Sequence, residues 1–446
     1  MDQIVAEGRA SSKRLLKSAI MPRFSLKKNW RRIVRWQLAI LVSIAIAISY
    51  LDRQTLPVAV HSISRDIPLN NTQFSALQSA FLLSYALMYA GGGKLVDQLG
   101  THRGFTVIML FWSFACASHA LATSFTLLAV SRFLLGMGEG GGFPAATRAV
   151  AEYFPTGERA TAMGIINAGT SVGAVIAPPL IAAILLHASW RWIFLVTGGF
   201  GLLWTILWTS SRIRKPKTAE PDSITSEQPH SVPPTFRWVR LFTVRETWGL
   251  ITAKFLSDAA WFFYLFWLPK YLYDARGFDV KAVGAFAWMP SAAAGIGCLL
   301  GGGFSSYLVS RHLSLGAARK IALGLSAALM PLVILIPHVA VSWAIVLFCL
   351  AYFGQQSWST LVMVLPTDLF PQEVVGSVAG LVGFGGAMGG IAFGEVVGYL
   401  LDHGLGYSTV FAIAGTLHVA AFVIILACIP AVDPLSLKSF GCEAAH

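Results

Sequence analysis

Residues 152–173, EYFPTGERATAMGIINAGTSVG, return in outline as residues 368–389, DLFPQEVVGSVAGLVGFGGAMG. At this constant offset of 216 residues, Glu152-Tyr-Phe-Pro155 overlies Asp368-Leu-Phe-Pro371, while Gly164, Gly169 and Gly173 overlie Gly380, Gly385 and Gly389. An acidic residue followed by Phe-Pro and then a glycine-rich apolar run, present twice, implies a duplicated unit. Small residues in such runs let helix backbones approach closely where lipid supplies no hydrophobic drive between helices.

Outward from the two copies, apolar segments of about 20 residues recur, each long enough as a helix to cross a hydrocarbon core of ~30 Å. Twelve are predicted, at 37–58, 74–95, 104–123, 126–148, 160–186, 191–211, 248–273, 281–309, 317–337, 341–363, 376–401 and 408–430. With 55% hydrophobic and 12% charged residues, the chain falls well below the charge content of about 25% usual in soluble domains, and its mean hydropathy is +0.65. The expected fold is an all-α membrane protein of twelve transmembrane helices in two pseudo-symmetric six-helix bundles. A polar stretch from Arg212 to Thr247, with Lys-Pro-Lys and Pro-Pro elements, divides them. The organisation reads as a basic N-terminal segment (1–36), an N-terminal bundle (37–211), a linker (212–247), a C-terminal bundle (248–430) and a tail (431–446). Six helices separate the copies, so both have one membrane orientation. Parallel repeats of this kind hold substrate near the bilayer midplane between the halves.

The net charge of +12 speaks to topology more than to nucleic acid. With the N-terminus placed in the cytoplasm, 25 of the 33 Lys and Arg residues fall on that side and 5 on the other, so both termini are expected to be cytoplasmic. The first apolar run starts only near Gln37, without a small-residue cleavage site, and reads as a retained helix. Cys116, Cys298, Cys349, Cys428 and Cys442 are widely spaced, suggesting neither a metal site nor a disulfide framework, and the histidines mostly fall in loops or at helix ends. No cofactor is expected. The chain lacks a Gly-x-x-x-x-Gly-Lys-Ser/Thr phosphate loop and the nucleophile or Cys/His groupings of a membrane enzyme.

Several motifs resemble those of the major facilitator superfamily. Gly93-Lys-Leu95-Val-Asp97-Gln-Leu-Gly100-Thr-His-Arg103, after the second segment, is similar to that family's loop signature, with Thr101 and His102 at positions often basic. Tyr50-Leu-Asp-Arg53, Arg132-Phe-Leu-Leu-Gly-Met-Gly-Glu139 and Asp258-Ala-Ala-Trp-Phe-Phe-Tyr-Leu-Phe-Trp-Leu-Pro-Lys270 together resemble the anion:cation symporter branch. Phe286-Ala-Trp-Met-Pro290 and the glycines at 301–303 look closest to hexuronate (galacturonate or glucuronate) transporters. The resemblance implies a monomeric, proton-coupled symporter of an organic anion, most nearly a sugar acid, in a bacterial inner membrane, and not an enzyme.

Of the charges inside apolar segments, four stand out: Asp52, Arg53, Arg132 and Glu139. An ionised side chain at helix-centre depth costs about 2.5–3.5 kcal/mol on insertion scales, so each needs a partner or a wet cavity. Arg132 and Glu139 are seven residues apart, about 20° from a shared helical face. Counting from predicted ends, Asp52 lies on the outer side of the midplane and Glu139 on the inner side. Arg53 or Arg132 is the candidate for a substrate carboxylate, which a guanidinium grips bidentately. Asp52 and Glu139 are candidate proton carriers, because burial and a neighbouring arginine act on a carboxylate in opposite senses as a gate moves. The alternative reading is that these four residues form internal salt bridges that only hold helices 1 and 4 together.

Glu139 maps at the 216 offset onto Gln355, suggesting charges on the N-terminal wall and hydroxyl-binding groups on the C-terminal wall. Tyr50, Tyr85, Asn167, Tyr264, Gln355, Gln356 and Trp358 are further candidate substrate contacts. Asp97 and Arg103 are candidate gate residues. Lys254 and Lys270 read as snorkelling helix-end residues, with Asp258 a simple i,i+4 partner of Lys254. A symporter of non-sugar carboxylates, a passive channel and a membrane-embedded enzyme are the competing functions.

Overall fold

The computed structural model describes residues 2–154, 156–211, 238–370 and 372–435, with side chains left undescribed at 2–33, 90–97, 151, 156–161, 238–239, 372–374 and 376. The helices are α1 (Asp2–Asp66), α2 (Asn71–Leu99), α3 (Thr101–Ser118), α4 (Phe125–Glu139), α5 (Gly142–Tyr153), α6 (Thr156–His187) and α7 (Arg191–Ser210). The second half contains α8 (Arg245–Arg276), α9 (Val280–Phe286), α10 (Trp288–Ser310), α11 (Leu315–Leu329), α12 (Val341–Leu369), α13 (Gln372–Asp402) and α14 (Gly406–Cys428). They form twelve crossings: α4 and α5 make the fourth, α9 and α10 the eighth, and α11 continues through a 3-10 turn, Met330–His338, as the ninth.

Among the described residues, nine crossings are long and apolar enough to span a membrane. The second, fourth and seventh are the exceptions. The fourth breaks at Gly140–Gly141, and the seventh carries Lys254, Asp258, Lys270 and Asp274. These two also supply much of the charge between the halves, so their polarity is a consequence of position.

The duplicated glycines explain how each half closes. In the first, Gly169 and Gly173 of α6 lie so near the carbonyls of Ser43 and Ala47 on α1 that a Cβ at either would overlap them. In the second, Gly389 of α13 meets the Phe255 carbonyl of α8 the same way, and Gly385 rests on Ile251. The equivalent pairs fix a second offset of 208 residues between α1 and α8. That offset superposes Ser49 on Ser257, Tyr50 on Asp258 and Arg53 on Trp261.

Across the halves, α2 packs along α13, and α6 along α9 and α10. Gly398 of α13 would press on the Asn71–Thr72 backbone of α2 if it bore a side chain, whereas a side chain at Gly390 would meet first Phe262 of α8 in its own half. At the end remote from the chain termini, hereafter the far side, hydrogen bonds join the halves. Asp402 accepts from the Asn71 N–H and amide, both at 2.9 Å, and from the Thr72 N–H and hydroxyl at 2.8 and 2.6 Å. Asn70 and Gln73 satisfy each other's backbone N–H, so Asp402 completes the cap of α2 from the opposite half. Deeper in, Ser79 donates to Glu395 at 2.5 Å and Tyr273 to the Val58 carbonyl at 2.9 Å, while the Phe74 ring meets Trp267 edge-on.

At the other end, two ion-pair clusters each lie within one half. Thr101 and Arg148 hold Glu152 at 2.7 and 2.9 Å, and Arg319 holds Asp368 at 2.9 Å. The hydrogen bonds named above that join the halves thus lie on the far side.

Candidate functional site

The glycines at the end of α4 build the site. Gly136 and Gly140 press on the carbonyls of Phe81 and Tyr85 in α2, and Gly138 presses on Trp112 of α3. Glu139 is thereby carried to the last position of α4, against α1, and is 2% exposed. Its Oε2 accepts from Ser49 Oγ at 2.6 Å and from Arg53 Nε at 2.8 Å. Ser49 and Arg53 are one turn apart on α1, so both reach a single oxygen. The Arg53 guanidinium lies between the rings of Tyr50 and Tyr85, 4.6 Å from each centroid, with Phe81 at 5.6 Å. Because Arg53 meets Glu139 through Nε, its two terminal nitrogens make no hydrogen bond among the described residues.

Asp52 points elsewhere. Fully buried, it accepts from the Trp112 indole at 2.8 Å, and its second oxygen has no hydrogen-bond partner among the described residues. Both carboxylates share one level: Asp52 stands fourteen residues before the end of α1 and Glu139 fourteen after the start of α4, each ~21 Å from the far side. The expected split across the midplane is corrected, because α1 continues to Asp66, past the predicted end at 58.

Arg132 is 0% exposed and lies about 10 Å from the far side, seven residues into α4. Its Nη2 donates to Gln78 at 3.1 Å and toward the Arg53 carbonyl at 3.5 Å, while Nε and Nη1 have no partner among the described residues. Phe81 separates it from the Arg53 face, 5.4 Å from its guanidinium. Of the two arginines, Arg53 is thus the one framed by half-buried tyrosines, and Arg132 is sealed behind it.

On the opposite wall, Lys254 is 6% exposed and does not snorkel. It pairs with Asp258 at 2.9 Å and donates to Ser359 at 2.9 Å. Gln355 is 1% exposed and committed at both ends of its amide: Nε2 faces Asp258 at 3.5 Å, and Oε1 meets His418 Nε2 of α14. Gln356, one residue on, is half-buried. Trp358 packs edge-on against His418 and Phe422 within the C-terminal half, and Tyr264 is fully buried with its hydroxyl unpartnered among the described residues. Asn167 is exposed on α6, and its carbonyl accepts from Thr170 at 2.7 Å. Arg103 is exposed, and the Asp97 side chain lies outside the described residues. Among the described residues, no three His, Cys, Asp or Glu side chains gather to hold a metal ion.

Comparison with known proteins accounts for this architecture. The family model of the Major Facilitator Superfamily matches residues 42–394. The chain belongs to that superfamily. This superfamily member is 32% identical to the hexuronate transporter of Escherichia coli K12, over 88% of this chain and 93% of the relative. It is 33% identical to the galacturonate transporter of Dickeya chrysanthemi, over 67% of this chain and 89% of the relative. The resemblance to hexuronate transporters drawn from the sequence motifs is borne out by these matches. Its fold also superposes, with a TM-score of 0.69 at 18% identity, on a bacterial homolog of the human lysosomal transporter Spinster in an inward-facing and unoccupied conformation, covering 89% of this chain and 96% of that one. Superfamily members are transporters and not enzymes, so the buried charges belong to a multi-pass transport protein.

Sequence reading missed Ser49, Gln78 and Trp112, neutral groups whose value lies only in the charges they touch. It also passed over Glu395, an acidic residue inside the eleventh apolar segment, which the rule that singled out Asp52 would have found.

Proposed function

We propose that the protein is a proton-coupled symporter that imports a hexuronate or a closely related sugar acid by alternating access. The observation carrying this reading is the position of Arg53, bonded to Glu139 through one nitrogen and framed by Tyr50 and Tyr85. Relatives named for hexuronate and galacturonate support the choice of substrate.

Arg53 offers its terminal nitrogens to the substrate carboxylate, and the flanking tyrosine rings exclude water from the guanidinium. As the substrate anion takes over the guanidinium, Glu139 loses its counter-charge and accepts a proton. Net charge in the cavity is then unchanged, which lets the halves rock past each other without carrying an uncompensated charge through hydrocarbon. Asp52, on the same level, is the second proton carrier, and the Trp112 indole steadies its charged form by donating to it. Tyr50, Tyr85, Asn167 and Gln356 are the hydroxyl-facing contacts. Arg132 holds the far-side end of the site through Gln78.

The bundles at 37–211 and 248–430 move as the two rocking bodies, with both termini in the cytoplasm and the protein in a bacterial inner membrane. The sealed far side is then periplasmic, and the described arrangement is inward-facing. Asp402 and Glu395 must release α2 for the periplasmic side to open.

Uptake of labelled galacturonate and glucuronate into proteoliposomes, with and without an inward proton gradient, tests the reading. Accumulation of either acid above the external level, dependent on the gradient, is the expected result. Gradient-independent equilibration contradicts symport, and transport of neither acid contradicts the substrate class.

A further inference from the structure

The C-terminal wall contains a charge network that the mechanism above does not use. Lys254 Nζ sits 2.9 Å from both Asp258 Oδ1 and Ser359 Oγ. Gln355 Nε2 faces the same Asp258 oxygen at 3.5 Å, and its Oε1 is held by His418 Nε2. His418 is 0% exposed, with Nδ1 unpartnered among the described residues. Gly386 of α13 leaves room for the Asp258 carboxylate, since a Cβ there would overlap Asp258 Oδ2. The charged and titratable groups packed around Asp258 among the described residues are therefore Lys254 on its own helix and His418 behind Gln355.

Position makes this pair the counterpart of the N-terminal one. Gln355 stands where the repeat puts Glu139, and Asp258 where it puts Tyr50, one turn from Arg53. Each wall thus presents a cation tied to a carboxylate at matching depth. The Lys254 and Asp258 side chains keep 8% and 11% exposure, against 6% and 0% for Arg53 and Glu139. The C-terminal pair is the more open of the two.

We propose that Asp258 is a third proton carrier, loaded when a substrate anion draws Lys254 away from it. This inference rests on the symport reading and extends it to the second half. Lys254 stays charged, pairs with the anion and keeps Ser359. Asp258 takes a proton from the open aqueous side, and Gln355 then turns its amide oxygen toward the new O–H. Because the single substrate carboxylate is already balanced by the proton on Glu139, the proton on Asp258 adds one positive charge to the loaded cavity.

The test is the proton-to-substrate ratio, obtained from the pH gradient that just balances a known glucuronate gradient in proteoliposomes. Asp258→Asn should lower the ratio by one proton while counterflow of glucuronate persists. The charge-balanced pair Lys254→Gln with Asp258→Asn should lower the ratio by the same one proton, with glucuronate binding weakened by loss of the lysine, and guards against misfolding from an unpaired lysine. Proton uptake on glucuronate binding in detergent, read with a pH dye, should fall in both variants and requires no transport cycle. A wild-type ratio with either variant, or undiminished proton uptake on binding, overturns the inference. If the wild type itself shows no coupling, the symport reading fails; if Glu139→Gln lowers the ratio and Asp258→Asn leaves it intact, only the role of Asp258 fails.

Discussion

Arg53 donates from Nε to Glu139 Oε2 at 2.8 Å while its guanidinium stays 4.6 Å from the Tyr50 and Tyr85 centroids. One nitrogen serves the carboxylate, and the planar fork remains framed for a second anion. A lysine at the same place offers a single point charge that cannot serve both. Arg53→Lys should therefore raise the half-saturation for glucuronate roughly 10- to 100-fold, as a charge-assisted hydrogen bond contributes about 1.5–3 kcal/mol. Concentration dependence of counterflow measures it, and an unchanged value would assign substrate recognition elsewhere. Arg132→Lys, behind Phe81, should affect affinity less.

The far-side closure depends on Asp402, which caps α2 from the other half through four hydrogen bonds. Because Asp402 is exposed, loss of this cap should cost only about 1 kcal/mol. Asp402→Ala should then shift the population toward the far-side-open state by roughly 5-fold. Labelling of a cysteine placed at Ser75, beneath the seal, by an impermeant maleimide should quicken accordingly. No change in labelling rate would mean that helix packing alone holds the far side shut.

Gly389 touches the Phe255 carbonyl, whereas Gly199 has open space around it. Gly389→Leu should destabilise the C-terminal half by roughly 1–3 kcal/mol through overpacking. Gly199→Leu should be nearly neutral. Thermal unfolding in detergent distinguishes them, and equal melting temperatures would contradict the close-packed contact between α8 and α13.

Trp112 supplies the hydrogen bond to Asp52, whose other oxygen is unpartnered among the described residues. Trp112→Phe should cost about 1–3 kcal/mol, the penalty for a buried acceptor left unsatisfied. Replacing Asp52 by Asn in the same background should recover part of that loss if the two act as a pair. Strict additivity of the two stability losses would show that they do not.

The fold was legible because its main constraints are periodic. Glycines at 169, 173, 385 and 389 marked the close helix pairs that the structure contains. The charges were legible as well, since each costs too much in hydrocarbon to be incidental. Their partners were not. Glu139 and Asp52 were separated in depth because a span's end cannot be fixed from apolarity when α1 runs on through His61, Ser64 and Asp66. Lys254 read as a snorkelling residue because sequence shows its distance from a helix end but not Ser359 of α12 beside it. Gln355 was read as a substrate contact on symmetry with Glu139, yet Asp258 and His418, brought in by α8 and α14, already engage both ends of its amide. Arg103 and its repeat mate Arg319 diverge for a similar reason: Arg319 holds Asp368, whereas Thr101 takes the corresponding Glu152.

The claim that substrate and proton exchange across the Arg53–Glu139 pair is tested most directly by Glu139→Gln in proteoliposomes. Gln retains the shape and still accepts from Ser49 and Arg53, but it cannot carry a proton. Counterflow of glucuronate should persist, while accumulation driven by the proton gradient should be lost. Gradient-driven accumulation at the wild-type level in this variant would contradict the account.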